Sequence, residues 1–404
     1  MLNALENFSD TLAETALKLP SSSFQAHVFK CIDALCEDFR SRLLQNFNFA
    51  TNIGNSFVPD KKYFLQSMLF GEDPSDKTIT QYISLLKSYK SIEKVHELQV
   101  DGYKQYDIHN FDLNIFDLSN NCPDIPMLIS FSLQIFEFWD FQSSLALDYT
   151  RMRNFTKIIF KGYKDPPYHN AYHAADVLQS VHILLLSPAK SPKYLLYDTE
   201  DKFALLLSAM IHDFKHPGLN NDYLNKTSHK LALRYNNISV LENYHVSQAF
   251  KIMQNSENNI FHSLVNVNRI RKSIVEIVLA TDMAFHNKHV EDVQEVVAKP
   301  SAFNMPNMLG ILMHAGDISN VCRKFHISKE WGKRISAEFG IINALENPDS
   351  PSNGLPQEES QKRFCKFVMP FYKNLSCLYK TVVNWSNTLE ENLSMWEGHT
   401  KMTQ

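Results

Sequence analysis

The amino-acid sequence predicts an all-α protein: a compact multi-helix bundle preceded by a smaller helical N-terminal region. Three observations carry this. Apolar residues recur every three to four positions along most of the chain, strand-like alternation is sparse, and glycine is low at 11 of 404 residues. Hydrophobic residues make up 44% and charged residues 21%, the proportions of a globular chain able to bury a large core.

The elements follow in order. After Ser21-Ser22-Ser23, the residues Phe24, Val28, Ile32, Leu35, Phe39, Leu43 and Phe47 mark one helix face. A polar connector, Asn48 to Lys62, leads to a second helical pattern with Ile79, Ile83, Leu86 and Tyr89, and Asp101 to Asn121 reads as irregular. From Asp124 to Asn392 helix is nearly continuous: Ile125–Gln142, Leu145–Phe160, His173–Leu186, Asp201–His212, Leu241–Met253, Arg271–Phe285, Met305–His314, Lys329–Phe339 and Gln361–Leu389. This divides the chain into an N-terminal helical region, 1–115, and a main domain, 116–404. The amphipathic face of the first region makes it a candidate regulatory element or homodimer contact.

Charge and cysteine usage exclude several classes. A net charge of −4 gives no footprint for nucleic acid. No run reaches 18 apolar residues, so no membrane span is expected; the richest stretch, Ile125 to Trp139, is broken by Ser130, Ser132, Gln134 and Glu137. Six cysteines without a C-x-x-C pair read as reduced thiols of a cytoplasmic protein, tethered to a membrane only if the chain is a piece of a longer one.

Twelve of the 16 histidines lie between His169 and His326, and several of them fall in three groups that also hold carboxylates. His169 and His173 are four apart, a spacing that places them on one face of a starting helix; His212, Asp213 and His216 follow an apolar helix; His314 and Asp317 form the third group. Imidazole and carboxylate ligands from distant helices suit a borderline cation such as Zn²⁺. Asp213, with two oxygens, is placed to bridge to a second, largely hydrated ion of the Mg²⁺ or Mn²⁺ type, and two such ions acidify a water and neutralise a phosphoryl centre.

These residues belong to longer motifs: Y-H-N-x-x-H-A-A-D-V at Tyr168 to Val177, H-D-x-x-H-P-G at His212 to Gly218, and Y-N-x-x-S-V-L-E-N-x-H at Tyr235 to His245. L-A-T-D-M at Leu279 to Met283, D-I-S-N at Asp317 to Asn320 and S-Q-x-x-F at Ser360 to Phe364 complete the set. In this order they resemble the class I cyclic nucleotide phosphodiesterase catalytic domain, a branch of the HD-type metal phosphohydrolases, over about 125–392. The resemblance implies hydrolysis of cAMP, cGMP or both to the 5′-monophosphate by attack of a metal-bridging hydroxide. It implies that His173, His212, Asp213 and Asp317 hold Zn²⁺, with Asp213 also contacting Mg²⁺ or Mn²⁺. His169 matches the general acid, Glu338 the carboxylate that orients it, and His216, Glu242 and Thr281 groups that hold waters around the ions. Gln361 matches the amide that reads the purine edge, Phe364 and Ile335 the apolar clamp, and Tyr168, Asn221 and Asn320 further pocket residues.

The stretch Leu231 to Asn243 and the run ending at Arg323 are similar to the cGMP-preferring branch. Lys215 departs from the pattern, standing where the family carries an acidic or neutral residue, and a cation there would repel the metals unless it points outward. Two other readings compete: an HD-type phosphohydrolase acting on another nucleotide, and a catalytically weak cyclic nucleotide binding scaffold.

Overall fold

The structure, a computed structural model, describes residues 106–121, 126–187, 189–190, 197–302, 304–347 and 356–402. The helical patterns expected at Phe24–Phe47 and Ile79–Tyr89 lie outside these residues. Fifteen α-helices are found among the described residues, joined by turns and four short 3₁₀ segments, and the single β-type contact is a bridge between Ala189 and Tyr379.

Three helices form the centre: α5 (Ala171–Leu186), α6 (Thr199–Ile211) and α12 (Met305–Asp317). They pack on one another, with α2 (Met127–Phe138) against α5 and α10 (Val267–Leu279) against α6 and α12. The richest apolar stretch, Ile125 to Trp139, contains α2, and every residue from Met127 to Phe136 is buried. Phe131, Phe136, Phe141 and Phe203 are fully enclosed, and the last three meet edge-to-face at 5.3–5.9 Å. Each large apolar side chain so buried is worth about 1.5–3 kcal/mol. Among the described residues no helix is long and apolar enough to cross a membrane. Cys322 and Cys365 are buried free thiols.

Three stretches depart from the sequence expectation. The segment read as irregular contains α1 (Ile115–Asn121), and it packs on the bundle: Ile108 and Ile115 are buried in the main core, and Phe111 stacks on Trp385 at 4.3 Å. Helix α11 (His286–Ala298) has no counterpart in the expectation, because its first turn is polar and only Val290, Val293 and Val296 carry its period. The long C-terminal helix is two, α14 (Gln357–Ser376) and α15 (Lys380–Met402), which fold against each other.

Candidate active site

Local sequence sets each ligand-bearing turn. Pro166 and Pro167 keep the approach to α5 extended, and Asn170 closes it as N-cap, accepting from the amides of Tyr172 at 2.9 Å and His173 at 3.4 Å. The helix therefore begins at Ala171. His169 stands before the cap and His173 in the first turn, so the pair does not share a helix face, contrary to what its spacing suggests.

Helix α6 ends at Ile211, and His212 to Lys215 form a tight turn in which Lys215 adopts φ +65°. That left-handed residue, costly for a side chain by about 1–2 kcal/mol, brings His216 back toward the same cavity. The Lys215 ammonium lies 5.4 Å over the Phe214 ring rather than against Asp213. Asp317 ends α12, and the close approach is made possible by Gly316, where a Cβ would sit 2.5 Å from Val181 Cγ2 of α5.

These turns bring four donors together. His173 Nε2 lies 2.9 Å from Asp317 Oδ1 and 3.5 Å from Asp213 Oδ2, while His212 Nε2 is 3.2 Å from each of those oxygens and 3.3 Å from His173 Nε2. His212 Nδ1–H donates to the Ala209 carbonyl at 3.0 Å, which turns the Nε2 lone pair into the cluster. A lone pair facing two carboxylate oxygens and another imidazole nitrogen suits a divalent cation, and those carboxylates also favour a proton on the ring, raising the His212 pKa well above the ordinary histidine range against its burial. Ligands about 2.0–2.2 Å from a common ion are about 2.8–3.6 Å apart, from octahedral to tetrahedral geometry, which spans the five separations here. The residues thus fit a divalent ion. Burial would raise the Asp213 and Asp317 carboxyls, but the adjoining histidines hold both well below the usual carboxylate range.

A second arrangement lies beside it. His169 Nδ1–H donates to Glu338 Oε1 at 2.5 Å, and Glu338 Oε2 accepts from the backbone amides of Tyr168 and His169 at 2.9 and 3.1 Å. Glu338 is buried, not an exposed helix residue. Burial would lower the His169 pKa, yet the Glu338 carboxylate, with Asp213 and Asp317 behind it, raises it to about 9. The reciprocal effect takes Glu338, despite burial, down to about 2. His216 stacks on His169 at 4.1 Å and is driven far below its ordinary pKa by burial and by that neighbouring positive charge. The stack therefore holds one proton-rich and one neutral ring.

Around Asp213 Oδ1 stand His216 and His245. The His245 Nδ1–H donates to the Phe214 carbonyl at 2.7 Å, leaving a buried Nε2 lone pair 3.8 Å from Asp213 Oδ1 without a hydrogen-bond partner among the described residues. His245 closes the Tyr235–His245 motif but was given no role in the sequence reading. Asn221 uses both ends of its amide on neighbours: Nδ2 donates to both Glu242 oxygens at 3.0 and 3.2 Å, and Oδ1 accepts from Leu241 N. It positions Glu242 and still has an acceptor lone pair on Oδ1. Burial and Asp282 push Glu242 up to about 7. The Thr281 hydroxyl donates to the Val278 carbonyl, leaving its oxygen able to accept.

Helices α13 (Phe325–Glu346) and α14 form the other wall, bringing Ile335 and Phe364, both partly buried, beside the core. Gln361 is only 4% exposed and lies flat on Gly332, where a Cβ would come within 2.8 Å of its Cδ. Asn320 Nδ2 donates to the Tyr168 hydroxyl, and Tyr168 packs on His173 and Trp331. Two residues fall away from the site. His314 turns to His286 at 2.9 Å, and Arg323 is buried in an ion pair with Asp176 at 2.8 Å.

An all-α bundle that gathers two imidazoles and two carboxylates beside a His–Glu pair has the architecture of a helical metal phosphohydrolase. Residues 168–389 match the family model described as 3′5′-cyclic nucleotide phosphodiesterase. The 3′,5′-cyclic-nucleotide phosphodiesterase regA of Dictyostelium discoideum is 33% identical over 338 residues, 81% of this chain and 40% of that protein. The human dual specificity calcium/calmodulin-dependent 3′,5′-cyclic nucleotide phosphodiesterase 1B is 32% identical over 57% of this chain and 44% of its own length. The crystal structure of the phosphodiesterase domain of Salpingoeca rosetta rhodopsin phosphodiesterase is similar with a TM-score of 0.66 and 27% identity, covering 74% of this chain and 93% of that one. The chain belongs to the 3′5′-cyclic nucleotide phosphodiesterase family, and it spans about two fifths of the length of the curated relatives it matches.

Proposed function

We propose that this chain hydrolyses the 3′,5′-cyclic phosphodiester of cAMP, cGMP or both to the 5′-monophosphate. The observation that carries the reading is the His169–Glu338 pair at 2.5 Å, set beside four converging metal donors. His173, His212, Asp213 and Asp317 would hold Zn²⁺, whose preference for mixed imidazole and carboxylate ligands they match. Asp213 would share a second ion, Mg²⁺ or Mn²⁺, with water held by His216, His245, Glu242 and Thr281. Bound there, the ions neutralise charge on the phosphoryl oxygens and acidify water.

The protein's own groups account for the rest of the reaction. Opening the ring breaks the P–O3′ bond, and the departing O3′ needs a proton. With Nδ1–H committed to Glu338, the imidazolium of His169 has its Nε2 proton to give, and the Glu338 carboxylate keeps the ring in that orientation. Gln361 would read the purine edge through an amide that both donates and accepts, with Phe364 and Ile335 against the base faces. Residues 1–115 would serve as a regulatory or homodimer contact. The buried free thiols support a reducing, cytoplasmic setting.

The test is purified chain with Mg²⁺ or Mn²⁺ and each nucleotide separately, followed by chromatography of the product. The expected product is the 5′-monophosphate, lost on chelation and restored by metal. Absence of product at high protein concentration would overturn the reading. The ratio of kcat/KM for cGMP and cAMP then fixes the substrate preference.

A further inference from the structure

Between the metal turn and α9 (Val240–Ile252) the chain builds a lobule with its own small core of Leu224, Leu231, Ala232, Val240 and Leu241. Helix α8 (Lys230–Arg234) turns Leu231 and Ala232 into that core and presents Lys230, Leu233 and Arg234, an i, i+3, i+4 face, to solvent. Leu233 is 67% exposed, and Ile238, in the turn that follows, is 66% exposed. Two further lysines stand next to this face. Besides its desolvation, Lys164 is held below the ordinary lysine pKa by the charges of Lys215 and Lys230, so the three ammonium groups share one neighbourhood. None of Lys164, Lys215, Lys230 and Arg234 has a carboxylate partner among the described residues. The nearby acids are Asp165, next to Lys164 in the chain, and Asp222 and Glu346, which share Lys226 at 2.5 and 3.5 Å.

We infer that this lobule is a docking surface for an anionic lipid bilayer. Four cations without a carboxylate partner among the described residues make a local basic patch on a chain of net charge −4, and the exposed Leu233 and Ile238 stand beside it. A bilayer satisfies both demands at once: headgroups take the cations, and the two aliphatic side chains enter the boundary beneath. A nucleic acid leaves the aliphatic pair unsatisfied, and α8 with the turn after it exposes no large aromatic ring for base stacking.

The test is co-sedimentation of the full chain with phosphatidylserine-containing and with pure phosphatidylcholine vesicles. Binding is expected to the first alone and to disappear between about 0.1 and 1 M salt, as the Debye length shortens from about 10 to 3 Å. Lys230→Glu with Arg234→Glu is expected to weaken it at least about 30-fold, the loss of two basic contacts. Leu233→Ser with Ile238→Ser is expected to weaken it about tenfold, while Lys272→Glu on distant α10 changes nothing. Unaltered thermal unfolding of each variant separates loss of the surface from loss of the fold. No binding to anionic vesicles, equal binding to both kinds, indifference to the double charge reversal, or capture by polyglutamate without capture by vesicles would each overturn the inference.

Discussion

The two ends of the pocket are built on opposite principles. At the metal end four side chains are each oriented by a partner: His212 by the Ala209 carbonyl, His169 by Glu338, Glu242 by Asn221, His245 by the Phe214 carbonyl. At the α13–α14 end Gln361 has no hydrogen-bond partner among the described residues, and its position comes from lying on a glycine. Preorganised dipoles and charges suit a reaction centre, where reorientation would cost rate. Shape and a free amide suit recognition of a flat, polar-edged ring. Substitutions at the first end should therefore act on turnover and metal, and those at the second on substrate affinity.

The largest effect is expected at Asp213, the one residue whose two oxygens face both donor groups. Asp213→Ala should lower kcat by more than about 10⁴-fold and reduce bound metal, measured by turnover and elemental analysis of the same preparation. Retained metal with retained activity would break the assignment. His169→Ala comes next, with kcat lower by about 10²–10⁴ and metal content unchanged. Loss of metal in that variant would move His169 into the ligand set and erase the distinction between acid and ligands.

Much of the metal end was legible in the sequence because its chemistry demands particular residue types. Imidazoles and carboxylates behind an apolar helix point to a cation whichever way the chain runs, and His173, His212, Asp213 and Asp317 do converge. What was not legible depends on contacts distant in sequence. Spacing placed His169 and His173 together, but the Asn170 cap separated them and sent His169 to a glutamate 169 residues away. Gly332 carries no sequence signal at all; its meaning appears only when Gln361 is packed on it. Asn221 matches a pocket residue by resemblance, and only the structure shows that its amide also holds Glu242 and the Leu241 backbone. The same holds for α11, whose polar first turn hides a helix that packing against α14 maintains.

Glu338→Gln isolates electrostatics from shape at the metal end. Glu338 helps raise the His169 pKa from 6.5 to about 9, so the proton donor is present below that value and is lost as pH rises through it. Replacing the carboxylate by a neutral amide lowers the His169 pKa. The alkaline limb of the kcat profile should then move to lower pH, and kcat at neutral pH should fall by about 10–10² while KM changes little. An unmoved alkaline limb would separate Glu338 from the proton donor.

The smallest effect is expected at the other end, and it tests the comparison most directly. Gly332→Ala adds a methyl group where Gln361 already lies, 2.8 Å from its Cδ and 3.1 Å from its Oε1. One of the two must yield, and overpacking of this kind costs about 1–3 kcal/mol, part of it relieved by the long, flexible glutamine. Because Gln361 has no hydrogen bond to lose among the described residues, the displacement would alter where the amide meets the base in the proposed reading and leave the metal turn untouched. KM should rise about fivefold for any nucleotide the chain accepts, with kcat within about twofold of wild type and metal content the same. A fall in kcat at constant KM would mean that α13 transmits the strain to Glu338, six residues along the same helix, and that the two ends are one mechanical unit.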